Sequence, residues 1–179
     1  ITPDGNFDGG NIPNLLAQDF PKELDAYLPK LLAYRKKRTA LHLDDKILTA
    51  WNGMMIAALS YLYRVSGNDA FLSAAWKAEQ FLAENLSDNN HLFVSFRDQK
   101  HTGKGFLDDY ACYAWALLSL YESTLKTSYL DRAIALCNRA VADFHDKERG
   151  GFFLYGKHNE QLILTPKETY DGAVPSGNA

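Results

Sequence analysis

Apolar residues between positions 45 and 65 recur at helical spacing: Ile47, Leu48, Trp51, Met55, Ala58, Leu59 and Leu62, with Met54, Ile56 and Ala57 filling much of the other side. A helix that is apolar nearly all round is expected to be buried on most sides. Asp44 stands where an N-cap belongs, and Ser66-Gly67-Asn68 ends the run. From residue 70 to 85 the pattern changes. Phe71, Ala75, Ala78, Leu82 and Leu86 make one stripe, and Lys77, Glu79 and Glu84 lie off it. That predicts an amphipathic helix with a wet face. Residues 91–96 alternate loosely and read as a short strand, and residues 99–105, with two glycines, as a turn or loop.

The same order then recurs. Asp108 is placed to cap, and residues 110–121 carry no charge. After a turn at Lys126-Thr127-Ser128, Tyr129, Ala133, Leu136, Ala140 and Phe144 form a stripe, with Arg132, Arg139 and Asp143 expected in water. Residues 150–155 read as a strand whose partner is 161–164. Ahead of the repeats, residues 1–19 read as irregular. Residues 20–38 read as a helix entered at Pro21, with Leu24, Leu28, Leu31 and Leu32 as its stripe. The basic run Arg35-Lys36-Lys37-Arg38 suits a helix C-terminus.

Leu43-Asp44-Asp45 and Leu107-Asp108-Asp109 lie 64 residues apart, as do Trp51 and Trp115, and Tyr170-Asp171-Gly172 follows about one period later. The chain therefore divides into a first hairpin repeat at 43–106, a second at 107–169 and a truncated third start at 170–179. Paired-helix solenoids repeat every ~34 to 47 residues, so a longer period points to a ring of hairpins with long loops on one face. The expected fold is all-α: a partial α/α toroid with short strands in the inter-hairpin loops. It reads as a single domain cut from a parent with further parts on both sides.

Composition narrows the functions. The net charge of −3 leaves no electrostatic footprint for nucleic acid. The longest charge-free apolar stretch, 47–63, is too short and polar for a membrane span. Cys112 and Cys137 form no Cys-x-x-Cys pair and fall in expected helices, so buried reduced thiols and a cytoplasmic location are expected. The five histidines show no metal-ligand spacing, and neither a P-loop nor a dinucleotide fingerprint is present, so no cofactor is expected.

The motifs themselves are similar to a known set. His42-Leu43-Asp44-Asp45-Lys46-Ile47-Leu48-Thr49-Ala50-Trp51-Asn52-Gly53-Met54-Met55 resembles a signature of the thioredoxin-domain-containing DUF255 family, the spermatogenesis-associated protein 20-like proteins. Gly105-Phe106-Leu107-Asp108-Asp109-Tyr110-Ala111 and the run 167–178 resemble two further blocks, and Gly5-Asn6-Phe7-Asp8-Gly9-Gly10 the segment before the helices. The resemblance implies an α/α toroid like those of six-hairpin glycosidases and N-acylglucosamine 2-epimerases. Redox activity does not carry over, because the thioredoxin-like part has no counterpart in these residues.

Carboxylates recurring at equivalent helix starts are the chemical candidates. Asp45, Asp109, Asp171 and Glu168, with His42 as a base near neutral pH, would do acid–base work on a sugar, as a glycosidase or sugar epimerase does. Asp44, Trp51, Asn52, Asp108, Tyr110, Tyr170, Ser176 and Asn178 would bind that sugar or another polyol. The plainer alternatives stay open. Aspartate at a helix start is an ordinary cap, the 167–178 run an ordered connector, His42 a structural residue, and Trp51 and Trp115 core residues. On that view the chain is a non-catalytic binding or scaffolding module, inactive without the rest of its parent.

Overall fold

The computed structural model describes residues 3–12, 22–160 and 162–179. The chain splits into two compact units, Ile1–Asp44 and Asp45–Ala179. In the first, the Asn6 side chain closes a loop by donating to Ile12 O at 2.8 Å and accepting from Ile12 N at 2.7 Å. A 3-10 helix, Lys22–Ala26, is followed by α1, Leu28–Arg35. This is two pieces where one helix is expected. Pro29, in the first turn of α1, explains the break: it lacks an N–H, and its ring would strike a carbonyl one turn earlier. Leu24, Leu28, Leu31 and Leu32 remain exposed. Pro21 and residues 13–19 lie outside the described residues.

The second unit runs β1 (Ile47–Leu48), α2 (Thr49–Ser66), α3 (Asp69–Asn85), β2 (Ser87–Asp88), β3 (His91–Arg97), β4 (Lys100–Lys104), α4 (Leu107–Thr124) and α5 (Thr127–Phe144). α2–α3 and α4–α5 are hairpins. α2 and α4 lie side by side, with α3 packed on α2 and α5 on α4. Ile56, Ala75, Leu82, Tyr113, Leu117, Leu120, Leu136 and Phe144 lie in the core between these layers. The stripes of α3 and α5 face inward as expected, with Ala75, Leu82, Tyr129, Ala133, Leu136 and Phe144 all buried. α2 and α4 meet at Gly53, where a Cβ would come within 2.7 Å of the Cys112 carbonyl carbon and oxygen. Only a residue without a side chain lets the two backbones approach so closely.

β3 pairs antiparallel with β1, β2 and β4, with Ile47 opposite Phe96 and Arg97 opposite Lys100. Residues 100–104 thus form a strand where a loop is expected. Asp98 and Gln99 both adopt positive φ, 50° and 59°, giving a two-residue turn of the type that matches strand twist, without the usual Gly. Residues 150–155 and 162–164, by contrast, form no strand pair; only an isolated bridge links His145 and Phe152. The backbone there finds separate partners: Phe153 N donates to Phe144 O, Leu154 N to Pro166 O, and Leu154 O accepts from Leu107 N. Residues 170–179 contain no helix. Gln161 lies outside the described residues.

Several burial expectations are corrected. Trp51 and Trp115 are 62% and 52% exposed, so neither is a core residue. Met55, Leu62 and Val65 extend an exposed stripe from Trp51 along α2. Apolar character around that helix therefore does not mean cover on every side. Cys137 is exposed, whereas Cys112 is buried and burial pushes its thiol up to about 11. Glu79 and Asp143 are buried, not in water. Glu79 is neutralised from two helices. Arg132 Nη1 donates to it at 2.5 Å, and Tyr113 Oη at 3.1 Å. Arg132 Nη2 in turn reaches Tyr113 Oη at 2.6 Å. This network ties α3, α4 and α5 together, as a buried carboxylate requires.

Among the described residues no helix is long and apolar enough to cross a membrane. The Gly53 contact sets the first prediction. In a helix free of such a contact, Gly→Ala stabilises by up to ~1 kcal/mol. Here Gly53→Ala should destabilise by about 1–3 kcal/mol, because the helices must separate. Chemical denaturation of both proteins reads the sign, and a stabilised variant would show that the contact is loose.

Candidate functional site

The starts of α2 and α4 are joined by one side chain. Asp109, in the first turn of α4, accepts from Phe106 N at 2.9 Å through Oδ2 and from Ala50 N at 3.0 Å through Oδ1. It therefore reaches back to its own helix start and also holds the first turn of α2. Asp44 and Asp108 were the expected caps. α2 instead begins at Thr49 after Leu48, and α4 at Leu107 after Phe106. Residues 47–48 pair with β3, which moves the helix start past Asp44. The orphan N–H of Ala50 then takes an acceptor 59 residues away. Thr49, fully buried beside this joint, donates its hydroxyl to Phe93 O at 2.6 Å and fixes β3 to α2.

Asp109 is 4% exposed. Burial pushes its carboxyl up to about 7, against the opposing pull of its two backbone donors; the neighbouring Asp108 adds a smaller upward push. Asp108 points elsewhere: its Oδ1 accepts from Gly177 N at 2.8 Å. That contact docks residues 167–178 on the start of α4. A Cβ on Gly177 would meet Asp108 Oδ1 at 2.6 Å and Leu107 Cγ at 2.8 Å, so glycine is required for the approach.

The docked segment is knitted by its own polar groups. Ser176 donates its hydroxyl to Glu168 O at 2.7 Å, and its N–H goes to Asp171 Oδ1 at 2.9 Å. The Asn178 amide accepts from Phe152 N at 2.8 Å and donates to Phe152 O and Glu168 O, each at 2.9 Å. Lys167 Nζ reaches Asp146 Oδ2 and Gly150 O, each at 2.6 Å, and this contact, with the N–H groups of Arg149 and Glu148, holds the Asp146 carboxyl down at about 2. Glu168 keeps an exposed carboxyl whose Oε1 accepts from Tyr170 N at 3.3 Å, and Tyr170 is exposed.

The structure thus brings Asp108, Asp109, Glu168, Asp171, Ser176 and Asn178 into one connected rim. Trp51 and Asn52 sit in the first turn of α2, where the Asn52 amide donates to Leu48 O at 2.8 Å. Tyr110 is buried and its hydroxyl accepts from Leu92 N at 3.1 Å. Asp45 takes a different partner, an ion pair with Arg97 Nε at 2.8 Å. His42 and Asp44 are exposed residues of the first unit. Thr49, Gly53, Phe152 and Gly177 are structural members of the rim that spacing does not reveal. Gly53 and Gly177 do lie within the family-like blocks. Among the described residues no three ligating side chains come together to hold a metal.

No family model matches the chain. Human spermatogenesis-associated protein 20 is 33% identical over 87% of this chain and 21% of its own length. An uncharacterised protein of Caenorhabditis elegans is 29% identical over 90% of this chain and 23% of its own. The chain therefore spans about a fifth of the curated relatives it matches. Among solved structures, the cellobiose 2-epimerase of Bacillus thermoamylovorans superposes with a TM-score of 0.59 at 22% identity, over 69% of this chain and 34% of that one. A D-mannose isomerase gives 0.59 at 17%, over 73% and 34%. A GH76 α-mannanase of Bacteroides thetaiotaomicron gives 0.53 at 22%, over 65% and 32%. At these identities the likeness is one of fold, and the fold is the α/α toroid of glycosidases and sugar epimerases. Over the stretch it spans, the chain is homologous to the spermatogenesis-associated protein 20 relatives, whose family its motifs resemble, and it carries an arc of such a toroid.

Proposed function

We propose that this chain supplies one arc of a carbohydrate-binding rim, and that its paired aspartates build the rim rather than perform chemistry. The observation that carries this reading is where the carboxylates point. Asp108, Asp109 and Asp171 each accept backbone N–H groups, drawn from three different segments. A carboxylate held in this way organises loops and helix starts. The contact groups for a sugar or other polyol are then the exposed rings Trp51 and Tyr170, with the free edge of Glu168. The toroid likeness supplies the ligand class, and it supplies it by fold analogy.

A second reading keeps the acid–base chemistry. Asp109 is pushed up to about 7, the range in which a carboxyl exchanges protons at neutral pH. Glu168 is an exposed carboxylate on the docked segment, and Asp45 and His42 remain further candidates for proton transfer. In that case the chain works as part of a glycosidase- or epimerase-like enzyme together with the rest of its parent.

Titration of the chain with D-mannose and cellobiose, followed by tryptophan fluorescence, tests the binding reading. The expected result is a saturable change that Trp51→Ala removes and Asp45→Asn leaves intact. The absence of a response to any sugar would count against a carbohydrate ligand at the rim. Incubating the same sugars with the full-length parent and reading products by NMR tests the chemistry. Turnover that disappears in Glu168→Gln while the fold and sugar binding persist would favour catalysis over binding alone.

Asp109 also sets a pH dependence. In the unfolded chain its carboxyl releases its proton near the ordinary aspartate value of 3.8, and in the native chain near 7. Between these values the native state holds more protons, so stability falls as pH rises, by about 4 kcal/mol, and levels off above 7. Denaturation midpoints measured across pH 4 to 8 should show this decline, and Asp109→Asn should flatten that component. A wild-type contribution that rises over the same window would mean the native carboxyl is ionised throughout.

A further inference from the structure

A cavity of about 250 Å³ opens beside the first residues of β3 and the last turn of α5. His91, Phe93, Tyr110, Asp143, Phe144 and His158 line it. It lies just under the roughly 300–1,000 Å³ of ordinary small-molecule sites, so it suits one ring-sized ligand and not a chain of them. Of its polar groups only Tyr110 is among the rim candidates.

The Asp143 side chain is 8% exposed, yet its oxygens have no hydrogen bond among the described residues. His158 Nε2 stands 3.6 Å from Oδ1 and Arg139 Nη1 3.7 Å from Oδ2. Both contacts attract but exceed hydrogen-bond length. A buried carboxylate held this way is still able to accept from a ligand hydroxyl. The Tyr110 hydroxyl accepts from Leu92 N, and its own proton has no acceptor among the described residues. His91 and His158 face each other edge to face, ring centroids 5.3 Å apart. Burial of His91 lowers its pKa, favouring the neutral ring with one donor and one acceptor. Phe93 and Phe144 provide apolar walls.

The charges in the lining oppose one another. Asp88 and Asp143 disfavour an anion, and Lys104 with Arg139 behind Asp143 disfavours a cation. A neutral ligand with several hydroxyls satisfies both donors and acceptors without meeting either repulsion. The geometry points to a second ligand site here, built for a single neutral monosaccharide ring and separate from the rim. The ligand class rests on the carbohydrate reading above; the place does not.

The test is NMR of the imidazole signals of His91 and His158 in the full chain during titration with D-mannose and D-glucose, with succinate as the charged control. Saturable shifts with a sugar and none with succinate are expected. His158→Ala, which removes a half-exposed side chain, and Asp143→Asn should each weaken the sugar by about tenfold or more, while Trp51→Ala should not. Histidine signals that no sugar moves would overturn the site. If the sugar then still quenches Trp51, the rim reading survives alone; if it perturbs neither, both fail. Shifts with succinate as strong as those with sugar would also overturn it, since the lining would then be selecting charge.

Discussion

The second unit depends on how closely α2 and α4 approach at Gly53. The two helices touch backbone to backbone there, with no side chain between them. That distance decides what Asp109 can do. Its carboxyl rises from the first turn of α4 and meets the Ala50 N–H only because α2 is near enough to be reached. Thr49 is buried at the same place and secures β3. A wider spacing would free the Ala50 N–H, uncover Asp109 and detach the strand that forms one wall of the cavity. One missing Cβ therefore controls the register of helices, strand and rim together.

Asp108 and Asp109 show how neighbouring identical residues acquire different roles. Consecutive positions on a helix point about 100° apart. Asp109 turns inward to the joint with α2, and Asp108 turns toward Gly177. Their environments separate as well. Asp109 loses solvent and its proton affinity rises, while Asp108 keeps partial access to water. A carboxyl whose two oxygens are occupied by backbone donors is a poor candidate for touching a substrate but a strong one for fixing geometry. Its position near neutrality follows chiefly from burial and does not require a catalytic purpose.

Periodicity made the layers legible. The stripe from Tyr129 to Phe144 and the one from Phe71 to Leu86 describe helices that each show one face to the core, and strand β3 lies where the loose alternation at 91–96 predicts one, although its burial does not alternate. Local rules failed where a distant group replaced a local one. Asp44 and Asp108 have the chemistry of caps, but the Phe106 N–H goes to Asp109 three residues on, at capping-box spacing, and the Ala50 N–H goes to the same Asp109 across 59 residues, a match that no sequence spacing encodes. Asp98-Gln99 closes a tight hairpin without the glycine that signals one. Glu79 looked like a wet residue of α3 because its partners Tyr113 and Arg132 belong to other helices. The cavity residues 91, 143 and 158 come from three elements and share no spacing at all.

Trp51 and Trp115 carry the same point to the surface. Both are exposed, but Trp51 is the third residue of α2 and Trp115 the ninth of α4, so the 64-residue offset does not place them at equivalent helix positions. Along α2, Trp51, Met55, Leu62 and Val65 recur at intervals of three, four and seven residues, so they form one apolar stripe facing away from α4 and Gly53. Apolar spacing states which surface of a helix gains by being dry. It does not state what dries it: the same pattern is produced by a core, by a ligand stacked on the rings, or by an adjoining helix. The acidic pairs have the same ambiguity, since a cap and an acid catalyst begin from one side chain at one helix start. In both cases the residue type fixes a tendency, and only the partner, read in three dimensions, decides between structure and chemistry. For the aspartates the partner is visible and is backbone. For Trp51, in the first turn of α2, the partner we propose is a bound sugar ring.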